Sequence, residues 1–261
     1  MKQSIISNKV TIDSAIERRE RLELTLNNEV SRLGFIGGTY ILDLARSVKM
    51  QNSHIDVDAE VSISKREKRH NFLYSNSAMR KMRADFTKKA IKVEPNMSKL
   101  NASGIQIFSY EEDTEASRLC RDVLSKYNVR SRVYYRYQSE NCPYLHGRFF
   151  FMSEFEPTVL KTFAEQNREQ MQQFISNFHN MVLGSEATSE INPFTGLGLI
   201  SRKSHNVLKM LAEGHSRISI SETLHLTERG VDYHVNKMKA LFEVKNNSQL
   251  VAVAFKYKIL S

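Results

Sequence analysis

The most constraining feature of this sequence is a spacing of apolar residues in its C-terminal part. Val231, Val235, Met238 and Leu241 are separated by four, three and three positions, so all four fall on one face of an α-helix. Thr227 precedes this run and suits the N-cap position, because its hydroxyl can accept a hydrogen bond from a free helix amide. The sequence therefore predicts an amphipathic helix that begins at Thr227.

The opposite face of this predicted helix is polar and mostly basic. It carries Arg229, Asp232, Tyr233, Asn236 and Lys237. A shorter helical pattern precedes it, in which Ser216 can act as the N-cap and Ile220 and Leu224 face inward. Two short helices joined by a tight turn, the second with a basic free face, form the pattern with which a helix-turn-helix enters the major groove.

Positive charge is concentrated in the same part of the chain. From Phe194 onward there are ten basic and five acidic residues, a net +5, which leaves +4 of the total +9 for everything before it. A dense positive charge favours a polyanionic partner, since binding releases that partner's counterions. The length of 261 residues suits one large or two modest domains, and the C-terminal pattern favours two.

Leu199 to Ser261 resembles the DNA-binding domain of LuxR-type transcription factors, a four-helix helix-turn-helix. The matching positions are Leu199, Arg202, Val207, Leu208, Ala212, Gly214, Ser216, Ile220, Leu224, Leu226, Thr227, Val231, His234, Leu241, Gln249, Ala252 and Ala254. Lys203, Gly230, Ala240 and Asn247 depart from the family's usual residues. A glycine inside a helix weakens it by roughly 1 kcal/mol. The resemblance implies a divergent but working member.

The resemblance also implies which side chains contact DNA. The recognition helix would start at Thr227 and expose Arg229, Asp232, Asn236 and Lys237 toward the groove. Candidate phosphate contacts, which set affinity without reading sequence, are Lys203, Arg217, Lys239 and Lys245. A two-fold operator requires a homodimer. We expect the subunits to pair through the helix at 156–182 and through Leu250 to Phe255.

The N-terminal part alternates between helix and strand patterns. Helices are predicted at 11–33, 77–90, 111–127 and 156–182, and strands at 35–44, 71–74, 105–108, 132–137 and 147–153. The last two strands are predicted to form an antiparallel hairpin. Together these elements predict an α/β/α sandwich of PAS or GAF general shape, in an α+β two-domain protein. We expect domains at 1–183 and 196–261 with a linker at 184–195.

Two local patterns in this part have competing interpretations. Gly37-Gly38 lacks a following Lys-Ser/Thr or a third glycine, so a strand bulge is favoured over a phosphate loop. The charge run at 65–69 is interpreted as a solvated loop, with DNA contact as the alternative.

The order of elements resembles, less specifically, the signal-binding domain of LuxR-type regulators. In that family an Asp accepts the signal's amide proton and a Trp donates to the lactone carbonyl. Glu94 stands in the acid position, Met82 and Phe86 stand nearest the Trp and Tyr positions, and Phe108 falls near another pocket aromatic. The chain contains no Trp. Because methionine has no N–H group to donate, the lactone contact is lost.

Three interpretations of the N-terminal domain remain open. It binds an acyl-homoserine lactone in a rearranged pocket, or a different small-molecule signal, or no ligand and serves dimerisation or partner contact. The tyrosine-rich strand around Tyr135, with Arg132 and Arg136 nearby, permits the second of these. A protein-interaction module, whose helix-turn-helix contacts a partner protein instead of DNA, is the alternative for the whole chain.

Enzymatic, metal-binding and membrane-spanning classes find no support in the sequence. Cys120 and Cys142 give no disulfide framework, and only Cys142 and His146 bring a cysteine and a histidine close together. No Gly-x-Ser-x-Gly or Walker loop is present. No apolar run reaches the roughly 18 residues of a membrane span. We expect a cytoplasmic regulator without metal or cofactor.

Overall fold

The computed structural model describes residues 2–45, 71–186 and 188–260. The charge run at 65–69 lies outside the described residues. The helices are α1 Lys2–Arg32, α2 Ser77–Lys89, α3 Glu115–Ser125, α4 Pro157–Gln166, α5 Arg168–Gly184, α6 Thr188–Ile191, α7 Pro193–Gly196, α8 Arg202–Ala212, α9 Arg217–Thr223, α10 Glu228–Phe242 and α11 Asn247–Lys256. The strands are β1 Gly37–Leu44, β2 Phe72–Tyr74, β3 Gln106–Phe108, β4 Ser131–Gln138 and β5 Leu145–Ser153. None of the described helices is long and apolar enough to cross a membrane.

The five strands form one antiparallel sheet in the order β2-β1-β5-β4-β3. The predicted hairpin is confirmed, since β4 pairs with β5 along its full length. Apolar residues of α1 and α5, among them Leu26, Val30 and Phe178, pack on one face of the sheet. Met82 of α2 and Val123 of α3 pack on the other face. The α/β/α sandwich is therefore confirmed, and the helical C-terminal domain follows it.

The predicted bulge at Gly37-Gly38 is wrong, because both residues pair in regular register with β5. The glycines instead allow helices to approach both faces of β1. A Cβ on Gly37 would lie 2.6 Å from the Met79 sulfur of α2, and one on Gly38 would lie 2.8 Å from Val30 of α1. The pair of glycines thus lets the sheet pack closely on both sides.

The single helix predicted at 156–182 is also wrong, because it is interrupted at Asn167. That residue leaves helical geometry at φ −102 and ψ 15, and its side-chain amide donates to the carbonyl of Phe163 at 2.9 Å. An asparagine amide competes for backbone acceptors in this way and ends regular helix. The chain therefore turns between α4 and α5.

The segment 184–195, expected as a linker, contains α6 and the start of α7. Asn192 caps α7 by accepting from the amide of Phe194, and its Nδ2 donates to the carbonyls of Tyr257 and Lys258. The ring of Phe194 packs against Phe242 and Tyr257. These contacts attach the segment to the end of the C-terminal domain.

A second contact connects the β4–β5 turn with the C-terminal end of α11. Tyr144, in the turn between β4 and β5, packs edge-on against Tyr257 with ring centroids 5.3 Å apart. The ammonium of Lys256 lies 4.5 Å from the centre of the Tyr144 ring, a favourable cation–π distance. The hairpin of the sheet domain therefore touches the end of the last helix.

A buried polar pair crosses the core between β1 and α5. The hydroxyl of Tyr40 and Nδ1 of His179 form a hydrogen bond of 2.8 Å. Gly147 of β5 makes room for it, because a Cβ there would lie 2.7 Å from both His179 Nδ1 and the Tyr40 ring. Burial, together with the charge of His146, lowers the pKa of His179 to about 4. The imidazole is consequently neutral in the folded protein near pH 7.

We expect Gly147→Ala to destabilise the fold by about 1–3 kcal/mol, because the added methyl group overpacks rigid rings of the core. Gly184→Ala is the matched control, since nothing lies within 4 Å of its Cβ position. Urea denaturation of both variants measures the difference. Equal stability of the two variants would contradict this packing.

His179 should make stability depend on pH. Its pKa of about 4 in the folded state lies below the ordinary 6.5, so the unfolded chain binds the proton first on acidification. Stability contributed by the neutral imidazole is present above pH 6.5 and is lost as the pH falls toward 4. Between pH 7 and 5 we expect a loss of about 2 kcal/mol from this residue.

The measurement compares the free energy of unfolding at pH 7 and pH 5 for the wild type and His179→Gln. The variant should lose less stability on acidification than the wild type. His215→Gln, at an exposed position, should retain the full pH dependence. If His179→Gln lost as much unfolding free energy between pH 7 and pH 5 as the wild type, other groups would be responsible for the pH dependence.

Candidate nucleic-acid interface and sensing site

The C-terminal helices form a small core around the residues that the apolar spacing selected. Val231, Val235 and Met238 of α10 are buried, together with Val207 of α8 and Ile220 of α9. Both predicted N-caps are present. Ser216 accepts from the amide of Ser219, and Thr227 accepts from the amide of Gly230 at 3.0 Å. These bonds start α9 and α10 at the positions that the sequence indicated.

The turn between α9 and α10 depends on a left-handed residue that apolar spacing and capping patterns do not predict. His225 has φ 51, and the amide of the following Leu226 donates to the carbonyl of Ser221 at 2.9 Å. This 6→1 bond ends a helix and reverses the chain. A non-glycine residue in this conformation gives little sequence signal.

Gly230 was expected to weaken the middle of the recognition helix. The structure places it instead as the third residue of α10, in the first turn. A Cβ at this position would lie 3.3 Å from the capping oxygen of Thr227. The mid-helix interpretation is therefore wrong, and the glycine lies directly against the N-cap.

The free face of α10 presents a continuous polar stripe. Arg229, Tyr233, Asn236 and Lys237 are exposed and are separated by four, three and one positions, which places them on one side of the helix. Tyr233 is 62% exposed but was not among the candidate DNA contacts. Tyr233 lies four positions after Arg229, and this helical spacing could have identified it as a candidate DNA contact.

Two predicted DNA contacts bind each other across the helix-turn-helix. Arg217 of α9 donates to the Asp232 carboxylate at 3.0 Å, and its other terminal nitrogen lies 2.7 Å from the Glu228 carboxylate. All three side chains are about half exposed. The charge of Arg217 is therefore shared with two carboxylates of α10, and the contact holds the two helices together.

The predicted lysines are distributed unevenly around this face. Lys203 and Lys237 lie close enough to His234 that their charges, after burial, help to lower its pKa. His234 Nδ1 in turn contacts the Ser204 hydroxyl at 2.9 Å, which connects α8 to α10. Lys239 is half-buried. Lys245 is exposed, but it follows the end of α10 and is eight residues beyond Lys237, the last residue of the polar stripe.

In the N-terminal domain, three of the five candidate ligand residues, Phe86, Glu94 and Phe108, contact one arginine, Arg132. Met82 and Phe108 are buried on the face of the sheet that α2 and α3 cover. The Arg132 guanidinium carbon lies 4.8 Å from the centre of the Phe86 ring and 5.3 Å from that of Phe108. Glu94 forms an ion pair with Arg132 at 2.7 Å. The sequence had placed Arg132 only near the site.

The Glu94 carboxylate is fully occupied by its own chain. One oxygen accepts from the backbone and side-chain amides of Asn96, both at 2.9 Å. The other accepts from Arg132 and from the Tyr110 hydroxyl at 2.6 Å. Burial lowers the pKa of Arg132, and Glu94 opposes that shift. Burial, with the charge of Glu94 adding, raises the pKa of the nearby Cys120 thiol to about 12.

Tyr135, the fifth candidate, lies on the opposite face of the sheet. It packs against the cluster that contains α1 and α5, because side chains alternate along a strand. Tyr134 points into the site instead, and its hydroxyl donates to the carbonyl of Leu100 at 2.9 Å. The described residues contain no group of three or more His, Cys, Asp or Glu able to hold a metal ion.

The helices α8 to α11 form a four-helix helix-turn-helix domain. Residues 199–254 match the family model described as bacterial regulatory proteins, luxR family. The C-terminal domain is therefore a LuxR-family helix-turn-helix domain, and the resemblance drawn from its residues is confirmed.

Comparison with whole proteins gives more distant similarities. A search of curated proteins finds no match. Among solved structures, Escherichia coli SdiA in space group P6522 is 14% identical with a TM-score of 0.44, over 98% of this chain and 99% of that chain. SdiA in complex with octanoyl-rac-glycerol is 17% identical with a TM-score of 0.40, over 95% of this chain and 90% of that chain.

The Glu94–Arg132 pair should be essential to the N-terminal domain. Glu94→Ala leaves a buried guanidinium without its carboxylate, and we expect a loss of about 3–5 kcal/mol of unfolding free energy. Replacing both residues, as Glu94→Leu with Arg132→Met, should cost less than Glu94→Ala alone, since no charge is then buried unpaired.

Chemical denaturation of the single and double variants tests this. Glu111→Ala is the control, because Glu111 is exposed and should change stability by less than about 0.5 kcal/mol. A double variant as unstable as Glu94→Ala would show that the ion pair is not the cause.

Proposed function

We propose that the protein is a dimeric DNA-binding transcription regulator, and not an enzyme, whose N-terminal domain binds a small-molecule signal. The observation that supports DNA binding is the exposed face of α10. Its apolar side is buried in the domain core, and Arg229, Asn236 and Lys237 remain exposed. A rigid helix with a basic outer face fits the major groove of DNA.

The side chains of the interface take different roles in this proposal. Arg229 and Asn236 contact base edges, since Arg suits guanine and Asn suits adenine in the major groove. Lys203 and Lys237 contact phosphates and set affinity. Arg217 and Asp232, which bind each other, orient α9 against α10 and contribute to DNA binding indirectly.

Dimerisation through the C-terminal domain is supported by an apolar residue on the surface of α11. Phe255 is 48% exposed although its neighbour Ala254 is fully buried. On the sheet domain, Met181 of α5 and Leu24 of α1 are 40% and 60% exposed. Exposed apolar side chains on helices are available to a second subunit, and a two-fold pair matches a two-fold operator.

A protein-interaction role is the second candidate, and two exposed side chains favour it. Ile218 of α9 and Tyr233 of α10 are 56% and 62% exposed, and an apolar contact through them would not need DNA. The two functions differ in their dependence on salt. Binding through several phosphates weakens steeply with ionic strength, whereas an apolar contact does not.

The test uses duplexes that the wild-type protein selects from a random pool. Arg229→Ala should weaken binding by about 1–3 kcal/mol and relax selectivity at one base position. Lys237→Ala should weaken binding to all sequences and reduce the slope of log K against log salt concentration by about 1. Fluorescence anisotropy at several salt concentrations measures both effects.

Lys161→Ala is the control, because Lys161 is exposed on α4, far along the chain from the helix-turn-helix. It should leave affinity and salt slope unchanged. Failure to select any duplex, or an affinity that does not depend on salt, would reject DNA binding in favour of the interaction role.

A further inference from the structure

Three arginines lie on the face of the sheet that α2 and α3 cover. Arg132 and Arg136 lie four positions apart on β4, and Arg148 of β5 is the direct cross-strand partner of Arg136. Alternation along the strands places all three on one face with Tyr134 and Phe150. Like charges directly opposite each other in a sheet are destabilising, so this face requires negative charge.

The described residues supply two carboxylates to this face. Glu94 pairs with Arg132 and Asp43 pairs with Arg148, which leaves one positive charge from the three arginines. Arg136 is half-buried, and no side chain among the described residues accepts a hydrogen bond from it or forms an ion pair with it. Over the part of the chain that the structure describes, these three arginines and their two carboxylates leave a net positive charge on this face.

Arg132 has a donor that its ion pair does not use. Its Nη2 contacts Glu94 and the Tyr110 hydroxyl, while its Nε is buried and has no hydrogen-bond partner in the described part of the chain. The Arg132 side chain is 7% exposed. A buried donor without an acceptor is unfavourable, so an acceptor brought by another molecule would be stabilised there.

Aromatic rings lie on this face between Arg132 and Arg136. Phe108, Tyr134 and Phe150 contact one another with centroids 4.9 to 5.6 Å apart. Phe150 lies 5.7 Å from the Arg132 guanidinium and is itself only half-buried. A ligand on this face would meet an apolar surface between two cationic groups.

We propose that this face binds a small organic carboxylate with an apolar body, the carboxylate paired with Arg136 and the body packed on the rings that lie between Arg136 and Arg132. The proposal rests on the proposed ligand-binding role of the N-terminal domain. Because the Glu94 oxygens are engaged internally, the site offers donors and positive charge to a ligand, and not an acceptor. Of the three arginines, Arg136 is the one without a carboxylate partner among the described residues, so it is available to pair with an anion.

The experiment measures binding by isothermal titration calorimetry on the full chain without DNA. Octanoate and 4-phenylbutyrate are the probes, and octanamide and 4-phenylbutyramide are the matched neutral compounds. At least one carboxylate should bind about tenfold or more tightly than its amide, since a charge-assisted hydrogen bond is worth roughly that factor. Equal binding of acid and amide, or no binding of either acid, would overturn the proposal.

Variants assign the binding to this face. Arg136→Gln should reduce the preference for the carboxylate about tenfold, because a half-buried cation is lost from the site. Arg168→Gln, at an exposed position of α5, should retain it. Arg132→Lys retains the charge but removes the planar group, and it should also reduce affinity. Equal effects of Arg136→Gln and Arg168→Gln would place the binding elsewhere.

The result is separate from the test of DNA binding. A carboxylate preference that depends on Arg136, in a protein that selects no duplex, would support this site and reject the regulator function. Selective DNA binding without any carboxylate preference would support the regulator and reject this site.

Discussion

The structure depends on a sheet that is covered on both faces. All eight residues of β1 are buried, so every polar side chain that the central strands carry must find a partner inside the protein. Tyr40 meets His179, and Asp43 meets Arg148. The buried polar side chains of the sheet are therefore paired with one another, and aromatic rings surround these pairs. The Nε of Arg132 departs from this pattern, because it is buried and has no hydrogen-bond partner among the described residues.

The helix-turn-helix depends on a different balance, because its helices are short and its core is small. Polar contacts therefore join the helices in addition to their apolar packing. Ser204 joins α8 to α10 through His234, and Arg217 joins α9 to α10 through two carboxylates. Arg217 and Asp232, which the sequence assigned to DNA contact, instead form an ion pair between α9 and α10. The exposed stripe that remains on α10 is narrower, and it includes the aromatic ring of Tyr233.

Local sequence patterns predicted most of the elements, because apolar spacing and capping residues act within a few positions of the chain. The α10 helix, its Thr227 cap and the β4–β5 hairpin are confirmed on this basis. The pattern was less informative where a residue acts on a distant one. The local sequence at Gly37 and Gly38 indicated a bulge, but glycine is needed there because α1 and α2 approach the strand closely. Asn167 interrupts a helical pattern that apolar spacing alone could not divide.

The sequence by itself determined a helix-turn-helix at the C-terminus and an α/β/α domain before it, because helix and strand periods are read from neighbouring residues. It also brought Glu94, Phe86 and Phe108 into one candidate site through a family resemblance. Only the tertiary structure decided that Arg132 lies at the centre of that site and that the Glu94 carboxylate is already used. Those facts depend on contacts between residues 38 positions apart, and no local pattern carries them.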